Sequence, residues 1–178
     1  MQSSKDDHPH KDNPLPEIHR YITTHTTEGE AVFLSHAQVP DYLPSRPSGD
    51  DGEIALLYAT TATPASLEEE SDVAMYDEFL HQPPGLTTET GTILRMVDLR
   101  PGKKTPMHRH VSLDYGVVLE GDVDLILDSG GEQTFQNKNS EAWCRIMFVY
   151  LPIEKLRYKE RELGDEVYDE GYENSGDE

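Results

Sequence analysis

Cysteine occurs once in the 178 residues, at position 144, so no internal disulfide can brace this fold. Basic residues are scarce as well. Fifteen Lys plus Arg stand against 35 Asp plus Glu, a formal net charge of −20. Phosphate backbones need a clustered Lys/Arg surface, so nucleic acid is excluded as the expected partner, and an anionic membrane surface with it. No apolar run approaches the ~18 residues that span a bilayer. The opening MQSSKDDHPHKDNP has no apolar core of the kind a secretory signal needs. A cytoplasmic protein is expected. Neither G-x-S-x-G, a P-loop, C-x-x-C nor a dinucleotide-type glycine motif is present, which removes the commonest hydrolase, nucleotide and thiol-redox readings.

The length suits one domain. Residues 1–16 are rich in Asp, Lys, His and Pro and read as a flexible lead-in, with His8 and His10 a mobile surface pair. Residues 159–178 (KERELGDEVYDEGYENSGDE) concentrate carboxylates between Gly and Tyr, and self-repulsion predicts a disordered acidic tail. The folded domain is expected over 17–158.

Within it the pattern is mostly β. Apolar and β-branched residues predict strands at 30–34, 53–61, 91–99 and 144–151. Residues 115–119 and 123–127 are expected to pair with each other across a turn at Glu120-Gly121-Asp122. Ser66 to His81 carries the one helical signal, with Ser66 as cap and Ala74, Met75 and Phe79 on the apolar face, and Pro83-Pro84-Gly85 stops it. Many short strands with Gly/Pro turns argue for a sandwich or barrel. Cys144 lies in an apolar run and reads as a buried, inert thiol.

The chemistry concentrates in PGKKTPMHRHVSLDYGVVLEG, residues 101–121. His108 and His110 stand two apart, and on a strand that spacing points both imidazoles to one face. Asp114 shares their parity. Two histidines and a carboxylate with open positions are the set used by non-haem Fe(II) sites, and the same donors also take Zn or Mn. Arg95 and Tyr115 are candidates to orient a ligand. His19, His25, His36 and His81 are scattered among polar residues and read as surface groups.

The framework around the histidines carries a resemblance. Gly102, five residues, His108-x-His110, three residues, Asp114, six residues and Gly121 resemble the first cupin motif, with Asp where the general motif has Glu. The phrase from Ser112 to Gly121 looks like the small fungal cupins encoded beside polyketide synthases. The stretches 30–34, 83–102 and 139–149 are also similar to that group, so the likeness spans roughly residues 17–158. It implies an all-β, cupin-type jelly-roll barrel with one short helix. It also implies a metal-dependent oxidoreductase acting on a small aromatic or polyketide-derived molecule, with His108, His110 and Asp114 holding a divalent metal, Fe(II) first and Zn or Mn next. A homodimer is the oligomer expected by the same analogy.

The resemblance stops at one place. The second cupin motif, which brings a further hairpin and histidine, has no counterpart. All eight histidines lie at or before position 110, and residues 128–143 (DSGGEQTFQNKNSEAW) contain only Asn137 as a remnant of its end. A barrel short of one hairpin is therefore expected. The alternative function is a degenerate, non-catalytic cupin or a truncated gene model without activity.

Overall fold

A computed structural model describes residues 12–35, 46–48, 50–85, 87–127, 134–162, 164 and 166–168. The strands in chain order are β1 (Thr23–His25), β2 (Ala31–Phe33), β3 (Arg46–Ser48), β4 (Gly52–Ala59), β5 (Ile93–Leu99), β6 (Met107–Arg109), β7 (Ser112–Glu120), β8 (Val123–Ile126), β9 (Thr134–Asn137), β10 (Cys144–Pro152), β11 (Arg157–Tyr158), β12 (Arg161–Glu162) and β13 (Glu166–Tyr168). Helix α1 spans Ser71–His81 after a 3-10 turn at Glu68–Glu70. The expected all-β chain with a single short helix is therefore found. Among the described residues no helix is long and apolar enough to cross a membrane.

The centre is a five-stranded antiparallel sheet in the order β3-β4-β5-β10-β7. Two-stranded ladders surround it: β1-β2, β8-β9, β6-β13 and β11-β12. No closed barrel forms among the described residues, and β7 ends the sheet as an edge strand. On that edge Leu113, Tyr115, Val117 and Leu119 are exposed.

Strand pairing departs from expectation at Gly121. The strands before and after it do not pair with each other. β7 pairs with β10, and β8 pairs with β9. Gly121 has a φ of 80°, and a Cβ there would stand 2.8 Å from the Cβ of Cys144. The chain thus turns a tight corner against β10 and leaves the central sheet, instead of folding back on itself.

Both faces of the central sheet are apolar. One carries Ile93, Val97 and Leu99 of β5 with Cys144, Ile146, Phe148 and Tyr150 of β10. The other carries Ala55, Leu57 and Met96 under Ile18. A third cluster joins α1 through Val73 and Tyr76 to Leu34. The helix begins at Ser71, later than the sequence suggested, and Phe79 packs against the core as expected. Val73 and Tyr76 are buried and Ala74 is exposed. Ser66 does not cap α1: the residue before that helix is Glu70, and the Ser66 hydroxyl instead accepts the Glu68 N–H at 3.4 Å ahead of the 3-10 turn.

Two stretches beyond the expected domain limits hold structure. Asn13 donates to the Glu53 and Asp98 carboxylates at 2.9 and 2.8 Å, and Pro16 gives its carbonyl to Arg145 at 2.7 Å. Part of the lead-in is thus tied to the sheet. Within the stretch expected to be a tail, β13 pairs with β6 in the register Val167 to His108. The pair His8/His10 and residues 169–178 lie outside the described residues.

Candidate functional site

The residues around the histidines are set by three strands. His108 lies in β6, His110 follows that strand directly, and Asp114 sits near the start of β7. In register, Tyr150 of β10 stands between Asp114 of β7 and Ile93 of β5. One step along, Phe148 stands between Gly116 and Arg95. These side chains share one face of the sheet because alternate residues of a strand do.

The two imidazoles lie close, with ring centroids 4.5 Å apart and planes 33° from parallel. Each has its Nδ1 committed. His108 Nδ1 lies 2.7 Å from the Pro106 carbonyl oxygen. A carbonyl only accepts, so this nitrogen carries the proton and donates it. His110 Nδ1 lies 3.3 Å from Asp114 Oδ2 and donates to that carboxylate. Asp114 is itself held by the Ser112 hydroxyl, which donates to Oδ1. In the neutral rings both Nε2 atoms then carry the lone pair. The Nε2 of His110 is buried and has no hydrogen-bond partner. Burial holds His108 below the ordinary histidine value, against a smaller upward effect of its bond to Pro106.

The side chains packed around this pair are aromatic, and Phe148 and Tyr150 are buried among them. The Tyr150 ring meets His110 edge-on at 5.3 Å and stacks with Phe148 at 5.9 Å. Phe148 in turn meets Phe135 of β9 at 4.9 Å. Gly116 makes room for that ring, since a Cβ there would lie 3.2 Å from Phe148 Cε1. Burial pushes the Tyr150 phenol up to about 12, so it stays protonated at neutral pH.

Of the residues read from sequence, His108, His110 and Asp114 are brought together, but the carboxylate faces His110 and Ser112. Among the described residues no set of three or more His, Cys, Asp and Glu side chains is arranged to hold a metal ion. Arg95 points inward, 6% exposed, and stands over Tyr150 with Cζ 5.8 Å from the ring centroid. Tyr115 points outward and is 56% exposed. His19, His25 and His81 are exposed, as expected, and His36 lies outside the described residues. Cys144 is buried, and burial raises its thiol pKa.

Sequence reasoning missed Tyr150, Phe148 and Ser112 as parts of this site. Tyr150 and Phe148 share parity on β10, but the same run looks like plain core. Asn137, read as the remnant of a lost motif, is a buried structural anchor. Its amide nitrogen donates to the carbonyls of Leu99, Arg100 and Ala142 at 3.2, 3.1 and 2.8 Å.

Comparison with known proteins adds relatives of consistent kind. A phomopsin biosynthesis cluster protein of Diaporthe leptostromiformis is 38% identical over 170 residues, covering 86% of this chain and 89% of its own length. A cupin-domain-containing oxidoreductase of Neurospora crassa is 34% identical over 160 residues, 80% of this chain and 79% of its own length. Another cupin-domain-containing oxidoreductase, from Aspergillus ruber, is 40% identical over 141 residues, 74% of this chain and 66% of its own length. No family model matches.

Proposed function

Since this chain belongs to the cupin-domain proteins of fungal secondary-metabolite biosynthesis clusters, we propose that it is a metal-dependent oxidoreductase of a small aromatic or polyketide-derived intermediate. One observation carries the metal part. His110 presents a buried Nε2 with no partner beside a second imidazole whose Nδ1 is also occupied. A buried polar atom left unpaired costs roughly 1–3 kcal/mol, which a coordinated cation offsets.

The donors fit a divalent ion of borderline softness, Fe(II), Zn or Mn. His108 and His110 would hold it through Nε2. Asp114 would act from behind, fixing the His110 tautomer and raising its basicity, as carboxylates behind metal-bound histidines do. Ser112 keeps that carboxylate in place. When bound, the ion supplies Lewis-acid polarisation or redox activation of the substrate. Phe135, Phe148 and Tyr150 give a planar substrate an apolar surface and keep water from it.

The test is anaerobic reconstitution followed by equilibrium dialysis with Fe(II), Mn(II) and Zn(II), read as metal per chain. One ion per chain is expected, and uptake falls to background in His108→Ala plus His110→Ala. No uptake, or equal uptake by the double variant, refutes the reading. The second reading, a non-catalytic auxiliary protein, is favoured by the lack of a three-ligand set among the described residues. Metal-loaded protein that turns over no cluster intermediate supports it.

A further inference from the structure

Arg95 stands out once the rest of the sheet is accounted for. The residue is buried, 6% exposed, on the face that carries Phe148 and Tyr150. It donates from NH2 to two backbone carbonyls, Pro84 at 3.2 Å and Gly85. No carboxylate pairs with it among the described residues. The other buried arginine of the sheet, Arg145, is treated differently, with Asp98 bonded to it through two nitrogens. In a chain with 35 acidic residues, a buried cation without a counter-ion is conspicuous. Burial without an opposite charge disfavours the charged form, and lowers the Arg95 pKa. Its position is equally specific. The cation hangs over the Tyr150 ring, and that ring touches His110.

We propose that Arg95 is an anion-binding residue for the substrate of this face, and that the substrate class is a planar, conjugated carboxylate. The carboxylate accepts from the guanidinium hydrogens on Nε or NH1, because those on NH2 go to the Pro84 and Gly85 carbonyls. The conjugated body lies along Phe148 and Tyr150 toward the histidines. This rests on the reading of the face as a substrate surface, and it deepens that reading by naming the charge and shape of the ligand. Arg95 touches the ligand's anionic end and orients it without reaching the reacting atoms.

The experiment uses 2-naphthoate as the probe and the isosteric neutral 2-naphthamide as its control, with binding to the full-length protein measured by calorimetry. The expected result is that naphthoate binds about ten-fold or more tightly than the amide, the range for charge-assisted hydrogen bonds. In Arg95→Gln that preference collapses. In Arg95→Lys, which keeps the charge and loses the planar set of donors, naphthoate binding falls several-fold but still exceeds amide binding. Repeated with His108→Ala plus His110→Ala, the preference persists, so loss of the metal site and loss of the anion site give different signatures. Equal affinity for the two probes, no binding of either, or a preference that survives Arg95→Gln overturns the proposal. Should the Gln variant not fold, a Lys variant with wild-type naphthoate affinity overturns it as well.

Discussion

Replacing Asp98 by alanine separates two electrostatic arguments that predict opposite signs. Asp98 lies in the middle of a cross-strand row, in register with Glu53 on one side and Arg145 on the other. It is 2% exposed. Its Oδ1 accepts from Arg145 Nε at 2.7 Å, and its Oδ2 accepts from Arg145 NH2 at 2.6 Å and from Asn13 Nδ2 at 2.8 Å. At the level of net charge, taking one negative group from a molecule at −20 relieves repulsion, and effects of that kind stay within about 0.5 kcal/mol. Locally, the change leaves a buried guanidinium with the Pro16 carbonyl as its one remaining hydrogen-bond acceptor among the described residues, and breaking a buried pair by removing one partner costs about 3–5 kcal/mol.

The local effect wins by nearly an order of magnitude. Against a total stability of about 5–15 kcal/mol, Asp98→Ala is therefore severely destabilised. Urea unfolding followed by circular dichroism measures it. The charge-free pair Asp98→Leu plus Arg145→Met should cost less than Asp98→Ala alone, because no orphaned charge remains. A single variant within about 1 kcal/mol of wild type, or a double variant worse than the single, refutes the reasoning.

Alkaline pH should weaken the fold. Burial raises the pKa of Tyr58, Tyr76 and Tyr150, so their folded values lie above the unfolded value near 10. Their contribution is complete below that pH and is lost as pH climbs beyond it, for Tyr150 toward about 12. A urea midpoint that stays flat from about pH 9 to 11.5 contradicts this, and Tyr150→Phe should lessen the slope. Asn137→Ala should cost about 2 kcal/mol or more, since three carbonyls lose their donor, and a melting temperature unchanged from wild type rules that role out. Val117→Lys on the open β7 edge should lower association seen by light scattering at high concentration, with little effect on the urea midpoint. Unaltered scattering argues that the edge is not sticky.

How much of this was legible in sequence follows from the range of each signal. The 102–121 segment could be read because its parts are neighbours in the chain, and spacing alone puts His108 near His110. Arg95 and Tyr150 could not be placed with confidence in the same way. On β5 nearly every residue is buried, on both faces, so alternation there gives no inward or outward mark. Their meeting depends on the β5–β10–β7 register, which is a tertiary fact. The Gly121 corner shows the same limit. Gly and Asp announce a turn, but not whether the next strand returns to its neighbour or crosses to another sheet. On helix α1 Phe79 packs inward as read, but the stripe was centred wrongly in the first turns, where Val73 and Tyr76 are buried and Ala74 is exposed.

The polar groups of the sheet argue for where function sits. Natural folds pair their buried polar atoms, and exceptions call for an explanation. Asn137 donates to three carbonyls, Asp98 and Arg145 satisfy each other, and Asn13 joins them from the lead-in. These groups lie away from the imidazoles, and each has a structural task. Two groups on the face of Tyr150 have no such structural task. His110 Nε2 is buried without a hydrogen-bond partner among the described residues, and Arg95 is buried with no carboxylate paired to it among them. One is a lone pair without a donor, and the other a positive charge held by backbone carbonyls and an aromatic ring. Tyr150 is in contact with both residues. A lone pair suits a cation and a guanidinium suits an anion, so one simple ion cannot serve both. On the proposed reading, a metal at one end of the aromatic strip and an acidic substrate along it serve the two together. That pairing makes the anion test on Arg95 and the metal test on His110 independent measurements of one site.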